Sequence, residues 1–262
     1  MRIYILSDLH YDYYRKEMKQ ETFFSLLLPA DMIIIPGDVA SKFNASLDIL
    51  TYLSDKYSNV VFCLGNHDMA IYFDYGKFKT TEAKIDKYHA LADSISNLHL
   101  LDGNVISIGD LTIGGFTGMW DYTYLPKCIP SHSREELDRY WKVNGYDGKY
   151  WNFMGNDIFR IREYAAKQIS DVLSKKPDIV VSHYSPLNFS VPDEHKGKLS
   201  SVLYYMSPEY LSSLKTGAIW CSGHTHTAFK SDTLLINPLG YPFESPYKYN
   251  SLKKSDFLID RW

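Results

Sequence analysis

Metal-binding and proton-carrying side chains follow short apolar runs at several places in this sequence. The run VVFCLG leads from Val60 to Gly65 and is followed at once by Asn66, His67 and Asp68. We interpret it as a buried strand that ends at Gly65. An isolated Asn-His-Asp triplet is more often a polar turn after a core strand than a site. Four other apolar runs, however, end in side chains of the same kind, namely Asp8 with His10, Asp38, His183, and His224 with His226.

The positions of these side chains predict that they meet in one site. In an open α/β sheet, ligands bind outside the carboxyl ends of the strands, so residues far apart in sequence can converge there. Asp8 and His10 are separated by one residue. If the first strand continues through them, their side chains share a face and can bind one metal ion together. Five of the nine histidines belong to the set, which a random scatter of packing histidines would rarely produce.

Alternating strands and helices must position this set. An amphipathic helix predicted over residues 41–57 joins the apolar run at residues 33–35 to the run that begins at Val60. Such a βαβ unit has parallel strands. Gly109-Asp110 predicts a hairpin between residues 105–108 and 111–113. Further strands are predicted over residues 2–7, 179–182, up to Cys221 and over 233–236, and further helices over residues 21–28, 82–95, 156–174 and 208–215. We therefore expect one α/β domain over residues 1–262.

Residues 118–155, called the insert below, interrupt this pattern. They form the least regular part of the sequence and carry eight tryptophans and tyrosines: Trp120, Tyr122, Tyr124, Tyr140, Trp141, Tyr146, Tyr150 and Trp151. Aromatic residues in such a segment usually pack beneath it, and a lid that faces the substrate is the sharper alternative.

Composition narrows the class of protein. The formal net charge is −3 over 262 residues, so no overall basic field favours a polyanion, and nucleic acid is not the expected partner. Cys63, Cys128 and Cys221 form no C-x-x-C pair, and we expect them to be reduced in a reducing compartment. No apolar run approaches the roughly 20 residues that cross a membrane, and no secretory signal is apparent before Asp8. A cytoplasmic protein without a membrane partner is the expectation.

Taken in chain order, the five blocks resemble the calcineurin-like metallophosphoesterase superfamily. The blocks are DLH from Asp8, GD at Asp38, GNHD from Gly65, the single His183, and GHTH from Gly223. The family pattern is D-x-H, GD, GNH[D/E], H and GHxH, and the resemblance covers residues 3–240. It implies a four-layer α-β-β-α sandwich, in which two mixed β-sheets are flanked by helices.

The resemblance also implies a two-metal centre. Asp8, His10 and His226 would hold one ion, Asn66, His183 and His224 would hold the other, and Asp38 would bridge them. Carboxylate and amide oxygens mixed with imidazoles suit manganese, iron or zinc, and the lack of cysteine ligands argues against a closed structural zinc site.

The same resemblance gives His67 and Asp68 catalytic roles. A hydroxide bridging the two divalent ions would attack phosphorus in line. His67 would interact with the phosphoryl oxygen or protonate the leaving oxygen, and Asp68 would orient the ring of His67. His67 as a spare ligand or a packing residue is the alternative.

Two further segments resemble small bacterial cytosolic members of the superfamily. GFTGMWDY is similar to their G-x-T-x-W-x-D/Y segment, and NPLGYP from Asn237 is similar to their N-P-R-G-Y-P closing motif. Leu239 stands where an arginine is usual. GNHD and GHTH are shared with class III cyclic-nucleotide and glycerophosphodiester phosphodiesterases. The expected function is therefore hydrolysis of a small, nucleotide-like phosphodiester or phosphomonoester by a metal-dependent phosphoric ester hydrolase.

Two alternatives belong to other classes, and a third lies within phosphoester chemistry. A non-catalytic scaffold with this fold typically loses ligands, whereas this chain keeps all of them. A metal-dependent nuclease would normally add a capping domain and a basic surface. Serine/threonine protein phosphatases carry GD-x-x-D-R-G and GNHE, whereas this chain has GDVASKF and GNHD.

Overall fold

The computed structural model describes residues 1–17, 20–187, 197–244 and 252–260. The strands in these ranges are β1 (Ile3–Ile5), β2 (Met32–Pro36), β3 (Asn59–Cys63), β4 (Leu98–Leu101), β5 (Asn104–Ile108), β6 (Leu111–Phe116), β7 (Ile179–Ser182), β8 (Ile219–Ser222), β9 (Phe229–Lys230), β10 (Leu234–Ile236) and β11 (Leu258–Ile259). The α-helices are α1 (Tyr11–Glu17), α2 (Gln20–Phe24), α3 (Phe43–Lys56), α4 (Asn66–Met69), α5 (Thr81–Ser94), α6 (Leu125–Cys128), α7 (Arg134–Asn144), α8 (Tyr146–Tyr150) and α9 (Ile158–Ser174).

Two mixed sheets form the centre of the molecule. The first has the strand order β11-β1-β2-β3-β4, and the second has the order β5-β6-β7-β8-β10-β9. Strands β1 to β4 are mutually parallel, as are β6, β7, β8 and β10, while β11, β5 and β9 run antiparallel to their neighbours. The carboxyl ends of the parallel strands, where the predicted site residues follow, therefore lie at one edge of each sheet.

Both faces of the inner parallel strands are buried, which explains the continuous apolar runs in the sequence. Ile34 and Val61 belong to a cluster between the sheets, and their neighbours Ile33 and Val60 belong to the cluster that faces the helices. Side chains alternate between the two clusters because successive residues of a strand point to opposite faces. The predicted sandwich of two mixed sheets flanked by helices is confirmed. Cys63 and Cys221 are free and lie in the cluster between the sheets.

The predicted helices and strands are largely observed, with shifted ends. The helix predicted over residues 41–57 is α3, and the hairpin around Gly109-Asp110 joins β5 to antiparallel β6. The helix predicted over residues 21–28 is the shorter α2, and the one predicted over residues 208–215 is a 3₁₀ segment, Pro208–Ser213, where the Ser207 hydroxyl accepts a hydrogen bond from the backbone N–H of Glu209. Strand β11, which follows β10, was not predicted.

The insert, in which the sequence pattern predicted no helix or strand, contains α6, α7 and α8. Ser133 caps α7 by accepting from the backbone N–H of Glu136, while the Glu136 carboxylate accepts from the backbone N–H of Ser133. This reciprocal capping box, S-R-E-E, is a helix start signal that can be read from sequence. Gly145 then ends α7 and begins α8.

Candidate metal centre

The loops after β1, β2 and β8 bring together a first group of potential metal ligands. Asp8, His10, Asp38 and His226 each place one ligand atom within 4.8 Å of the others. His10 Nε2 lies 3.0 Å from His226 Nε2, and Asp38 Oδ2 lies 3.7 Å from His10 Nε2.

A second group shares Asp38 with the first. Asp38, His183 and His224 place their ligand atoms within the same 4.8 Å limit. The Oδ1 atom of Asn66 is 2.9 Å from His183 Nε2, which in turn is 3.1 Å from His224 Nδ1. The structure therefore brings together all seven side chains that were predicted to bind metal.

These contacts fit bound cations. In each group two imidazole nitrogens face each other, at 3.0 Å between His10 and His226 and at 3.1 Å between His183 and His224. Two neutral rings can share such a contact only if one nitrogen carries the proton, whereas a cation between them accepts both lone pairs. The donor set of carboxylates, an amide and imidazoles suits manganese, iron or zinc. Each group can hold a divalent cation.

Unusual backbone conformations aim these ligands. Nine non-glycine residues of the described chain have a positive φ, and five of them are predicted ligands: Asp8 (52°), His10 (42°), Asp38 (55°), His224 (68°) and His226 (48°). Aspartate and histidine tolerate this left-handed region better than most residues do, but it still costs of order 1 kcal/mol at each position. Such backbone strain is typical of functional sites. These positive φ angles also show that Asp8 and His10 do not continue the first strand, contrary to expectation, and β1 ends at Ile5.

Two glycines make room for the shared carboxylate. A Cβ atom on Gly65 would lie 2.1 Å from Oδ1 of Asp38, so only glycine permits this approach. Gly37 has φ of +78°, and a Cβ atom there would lie 2.5 Å from Nδ1 of His183. The GD and GNHD blocks therefore need their glycines for close packing around Asp38.

Burial and neighbouring charges shift the pKa values of the candidate ligands in different directions. Burial raises the pKa of Asp38 well above its usual range, and the negative charges of Asp8 and Asp68 raise it further. Burial opposes the charged form of Asp8 too, but its hydrogen bond with His226 lowers the pKa of Asp8 to about 2. Burial also lowers the pKa of His10 well below the ordinary value, whereas at His226 burial is outweighed by hydrogen bonds with Asp8 and Glu244, which raise the pKa to about 10. His10 could therefore bind a cation as a neutral imidazole, while His226 would release a proton on binding one.

His67 lies at the wall of the site and makes hydrogen bonds through both ring nitrogens. Its Nδ1 is 2.9 Å from the hydroxyl of Ser41 and 2.9 Å from that of Tyr146, whose ring stacks on it at 4.0 Å. Its Nε2 is 3.2 Å from the hydroxyl of Tyr241. Burial, and then the charge of His226, lowers the pKa of His67 well below its usual value, so the ring is neutral near pH 7.

Asp68 does not have the contacts that we expected of it. Its carboxylate accepts hydrogen bonds from the backbone N–H groups of Val39, Ala40 and Gly65, at 3.2, 3.1 and 2.8 Å. The ring of His67 is held by hydroxyl groups instead. Asp68 therefore joins the loop after β2 to the loop after β3, because an ionised carboxylate can accept from several backbone donors at once.

The insert supplies two side chains that were not singled out from the sequence. Tyr146 contacts His67 as described, and the next residue, Asp147, accepts a hydrogen bond of 2.9 Å from Nδ2 of Asn66. Trp151 donates from its indole nitrogen to the backbone carbonyl of Asn66 at 2.8 Å. The aromatic residues of the insert thus include both packing residues and residues that contact the site.

The closing motif contributes as well. The ring of Tyr241 stacks on that of His10 at 4.2 Å, and Glu244 accepts a hydrogen bond of 2.6 Å from Nδ1 of His226. A carboxylate on the far nitrogen of a ligating histidine fixes the ring and its tautomer. Leu239, which replaces the usual arginine, is 5% exposed and packs in the cluster that faces the helices.

A pocket of about 730 Å³ lies above these ligands. Aromatic side chains line the pocket on several sides. They come from the insert, from the 3₁₀ segment Leu199–Tyr204, from the closing motif and from the residue after it: Tyr140, Tyr146, Tyr204, Tyr241 and Phe243. This volume is within the range of pockets that bind small organic ligands.

The sequence matches the calcineurin-like phosphoesterase family over residues 1–228. The chain belongs to this family. The predicted membership is confirmed, and so is the prediction of an enzyme that hydrolyses phosphate esters.

Two proteins illustrate what this phosphoesterase is similar to. It is 23% identical over 255 residues to a symmetrical bis(5'-nucleosyl)-tetraphosphatase of Buchnera aphidicola subsp. Schizaphis graminum, covering 84% of this chain and 91% of that one. Its structure is similar to the crystal structure of a phosphopantetheinyl hydrolase, PptH, from Mycobacterium tuberculosis, with a TM-score of 0.70 and 17% identity, covering 98% of this chain and 94% of that one. The second likeness supports the fold alone. Among the described residues, no helix is both long and apolar enough to span a membrane.

Proposed function

We propose that this chain is a dinuclear-metal-dependent phosphoesterase that hydrolyses a small, nucleotide-like phosphodiester or phosphomonoester. The observation that carries the proposal is the sharing of Asp38 between two groups of ligand atoms, each within 4.8 Å. Asp8, His10 and His226 would complete one cation site, and Asn66, His183 and His224 the other. Two bound cations would supply Lewis-acid stabilisation of the phosphoryl oxygens and an acidified water as nucleophile.

His67 would act on the leaving group. The hydroxyls of Ser41 and Tyr146 lie 2.9 Å from Nδ1. Donation from either one leaves the ring proton on Nε2, from where the neutral ring can donate a hydrogen bond to the charge that develops on the leaving or phosphoryl oxygen. Tyr241 lies beside Nε2 at 3.2 Å and would help to orient that oxygen.

The pocket supports a substrate with a flat ring. Phe243 is 77% exposed and stacks on Tyr241 at 5.5 Å with an interplanar angle of 9°, while Tyr241 in turn stacks on His10. The base of a nucleotide whose phosphate lies at the reaction site could continue this stack, because every base offers a face to an aromatic ring. The nucleosidyl substrate in the name of the Buchnera relative agrees with this class.

Hydrolysis of two chromogenic substrates tests the proposal. Purified protein is stripped with a chelator, given Mn²⁺, and assayed with bis(p-nitrophenyl) phosphate and p-nitrophenyl phosphate. We expect no turnover after stripping and recovery with the metal, and the ratio of the two rates decides between diester and monoester. Turnover that is unaffected by the chelator would rule the proposal out, and metal binding without turnover of any phosphoester would favour the scaffold alternative.

A further inference from the structure

The side-chain amide of Asn66 has two ends, of which only one can bind a cation. Its Oδ1 atom has lone pairs for a metal, whereas its Nδ2 group only donates hydrogen bonds. Rotation by half a turn would place the wrong end toward His183 and His224. The second cation site therefore needs a group that fixes the orientation of this amide.

Asp147 of α8 is placed to do this. Its Oδ1 accepts from Nδ2 of Asn66 at 2.9 Å, while Oδ1 of Asn66 lies 2.9 Å from Nε2 of His183. An ionised carboxylate accepts hydrogen bonds and cannot donate one, so the reversed amide would place two oxygens against each other. Only one orientation of Asn66 satisfies Asp147 and also places an oxygen beside Nε2 of His183, where the two atoms could share a cation.

Asp147 is itself firmly held. It is 5% exposed, and its Oδ2 accepts from the hydroxyl of fully buried Tyr184 at 2.5 Å. Helix α8 packs so closely on α7 that a Cβ atom on Gly148 would lie 2.3 Å from the carbonyl oxygen of Trp141. Both oxygens of Asp147 are engaged by donors, which suits a positioning role rather than direct metal binding.

We propose that Asp147 is a positioning residue, which presents Oδ1 of Asn66 to the second cation and makes the insert a structural part of the metal centre. This inference rests on the proposed two-cation function. It gives the insert a purpose beyond covering the pocket, since removal of one of its side chains would weaken a metal site formed by the sheet loops.

The test compares Asp147→Asn with a matched control, Asp138→Asn. Asp138 lies in the same insert and also accepts from a tyrosine, with its oxygens 2.7 and 2.8 Å from the hydroxyl of Tyr122. Mn²⁺ binding is measured by calorimetry and by metal analysis of chelator-stripped, reloaded protein. We expect Asp147→Asn to weaken one of the two cation sites by about 10- to 100-fold. The control should bind two cations with wild-type affinity.

A charge swap separates positioning from general packing. In the double variant Asn66→Asp with Asp147→Asn, residue 66 has an oxygen at both ends and no longer depends on its orientation. Binding of the second cation should return at least to the wild-type affinity. Tyr184→Phe, which removes one hydrogen bond from Asp147, is a milder second variant and should weaken the same site by a smaller factor.

The outcomes are distinct. Equal affinity for two cations in wild type and Asp147→Asn would overturn the inference, as would a folded double variant in which the second site stays weak. Should Asp147→Asn fail to fold, wild-type affinity at both sites in Tyr184→Phe would overturn it equally. Fewer than two cations in the wild-type protein would overturn the two-cation function itself.

Discussion

The strand-end loops and the insert both place side chains in the candidate metal centre, but different parts of the fold position them. Asp38 follows β2 and His183 follows β7, so the parallel arrangement of the sheets brings them to one edge. Tyr146 and Asp147 belong to α8, so their positions depend on how this helix packs against the loop after β3.

This difference determines what a substitution should do. A ligand at a strand end is part of the cation site, so its loss removes metal and activity together. A side chain of the insert acts through His67 or Asn66. Loss of one that contacts His67 should lower kcat without changing metal affinity, and loss of one that contacts Asn66 should lower metal affinity, so that activity recovers at high metal concentration.

Asp38→Asn should have the largest effect. The substitution keeps the shape of the side chain but removes the charge shared by both ligand groups. We expect weak binding of both cations and a loss of kcat/KM of at least about 1,000-fold, since metal catalysis supplies several kcal/mol. Metal content and kinetics are measured on the same preparation, with the melting temperature as a check of folding. Normal turnover with two bound cations would contradict the site assignment.

His67→Ala should separate chemistry from metal binding. His67 contributes no atom to either ligand group, so we expect both cations to stay bound while kcat falls by about 100-fold, as for loss of a hydrogen-bond donor to the transition state. His132→Ala in the insert is the control and should leave kcat unchanged. Loss of a cation from His67→Ala would instead identify His67 as a ligand.

Tyr146→Phe should reduce kcat by about tenfold without a change in metal affinity. The stacked ring stays, but one of the two hydroxyls near Nδ1 of His67 is lost. Ser41→Ala removes the other hydroxyl, which comes from the loop after β2. If both act on the same ring nitrogen, the double variant should lose more than the product of the single effects. Simple multiplication of the effects would argue against a shared role.

Phe243→Ala should raise KM for substrates with an aromatic base by about fivefold, because stacking contributes about 1 kcal/mol or more per base. A methyl phosphodiester should show no change. Phe159→Ala is the matched control, since Phe159 is 66% exposed but does not line the pocket. Equal effects of Phe243→Ala on both substrates would argue against base stacking.

Asp178→Asn should affect stability alone. Asp178 precedes β7, at the opposite edge of the sheet from the metal centre, and accepts from Lys215 and Thr112. Burial opposes its charge, but these hydrogen bonds lower its pKa to about 2. Because the folded pKa lies below the unfolded value of about 3.9, the stabilisation is present above about pH 4 and is lost as the pH falls toward 2.

We expect Asp178→Asn to reduce the free energy of unfolding by about 1 kcal/mol at pH 7, after allowance for its partial exposure to solvent. Urea unfolding at pH 7 and at pH 2.5 measures this difference, which should shrink at the lower pH. Metal binding and kcat should be unchanged. If Asp178→Asn lost as much activity as a variant of a strand-end ligand, the two ends of the strands would not differ in function as we propose.

The sequence alone predicts which side chains converge at the strand ends better than it predicts the residues that hold them in place. The sheet fold and the convergence of Asp8, Asp38 and His183 could be predicted, because apolar runs, glycines and the parallel connection constrain them locally. The role of Asp147 could not, since its partner Asn66 is 81 residues away and the contact depends on helix docking. The left-handed backbone at the ligands was equally hidden, because aspartate and histidine at a strand end do not by themselves specify φ.

Metal stoichiometry and turnover, measured together, decide whether two cations are needed. Chelator-stripped protein is titrated with Mn²⁺ while hydrolysis of bis(p-nitrophenyl) phosphate and p-nitrophenyl phosphate is followed, and bound metal is determined at each step. We expect activity to depend on added metal and to reach its maximum at two bound cations per chain. Full activity with one cation or none would contradict the proposal that two sites sharing Asp38 form the catalytic centre.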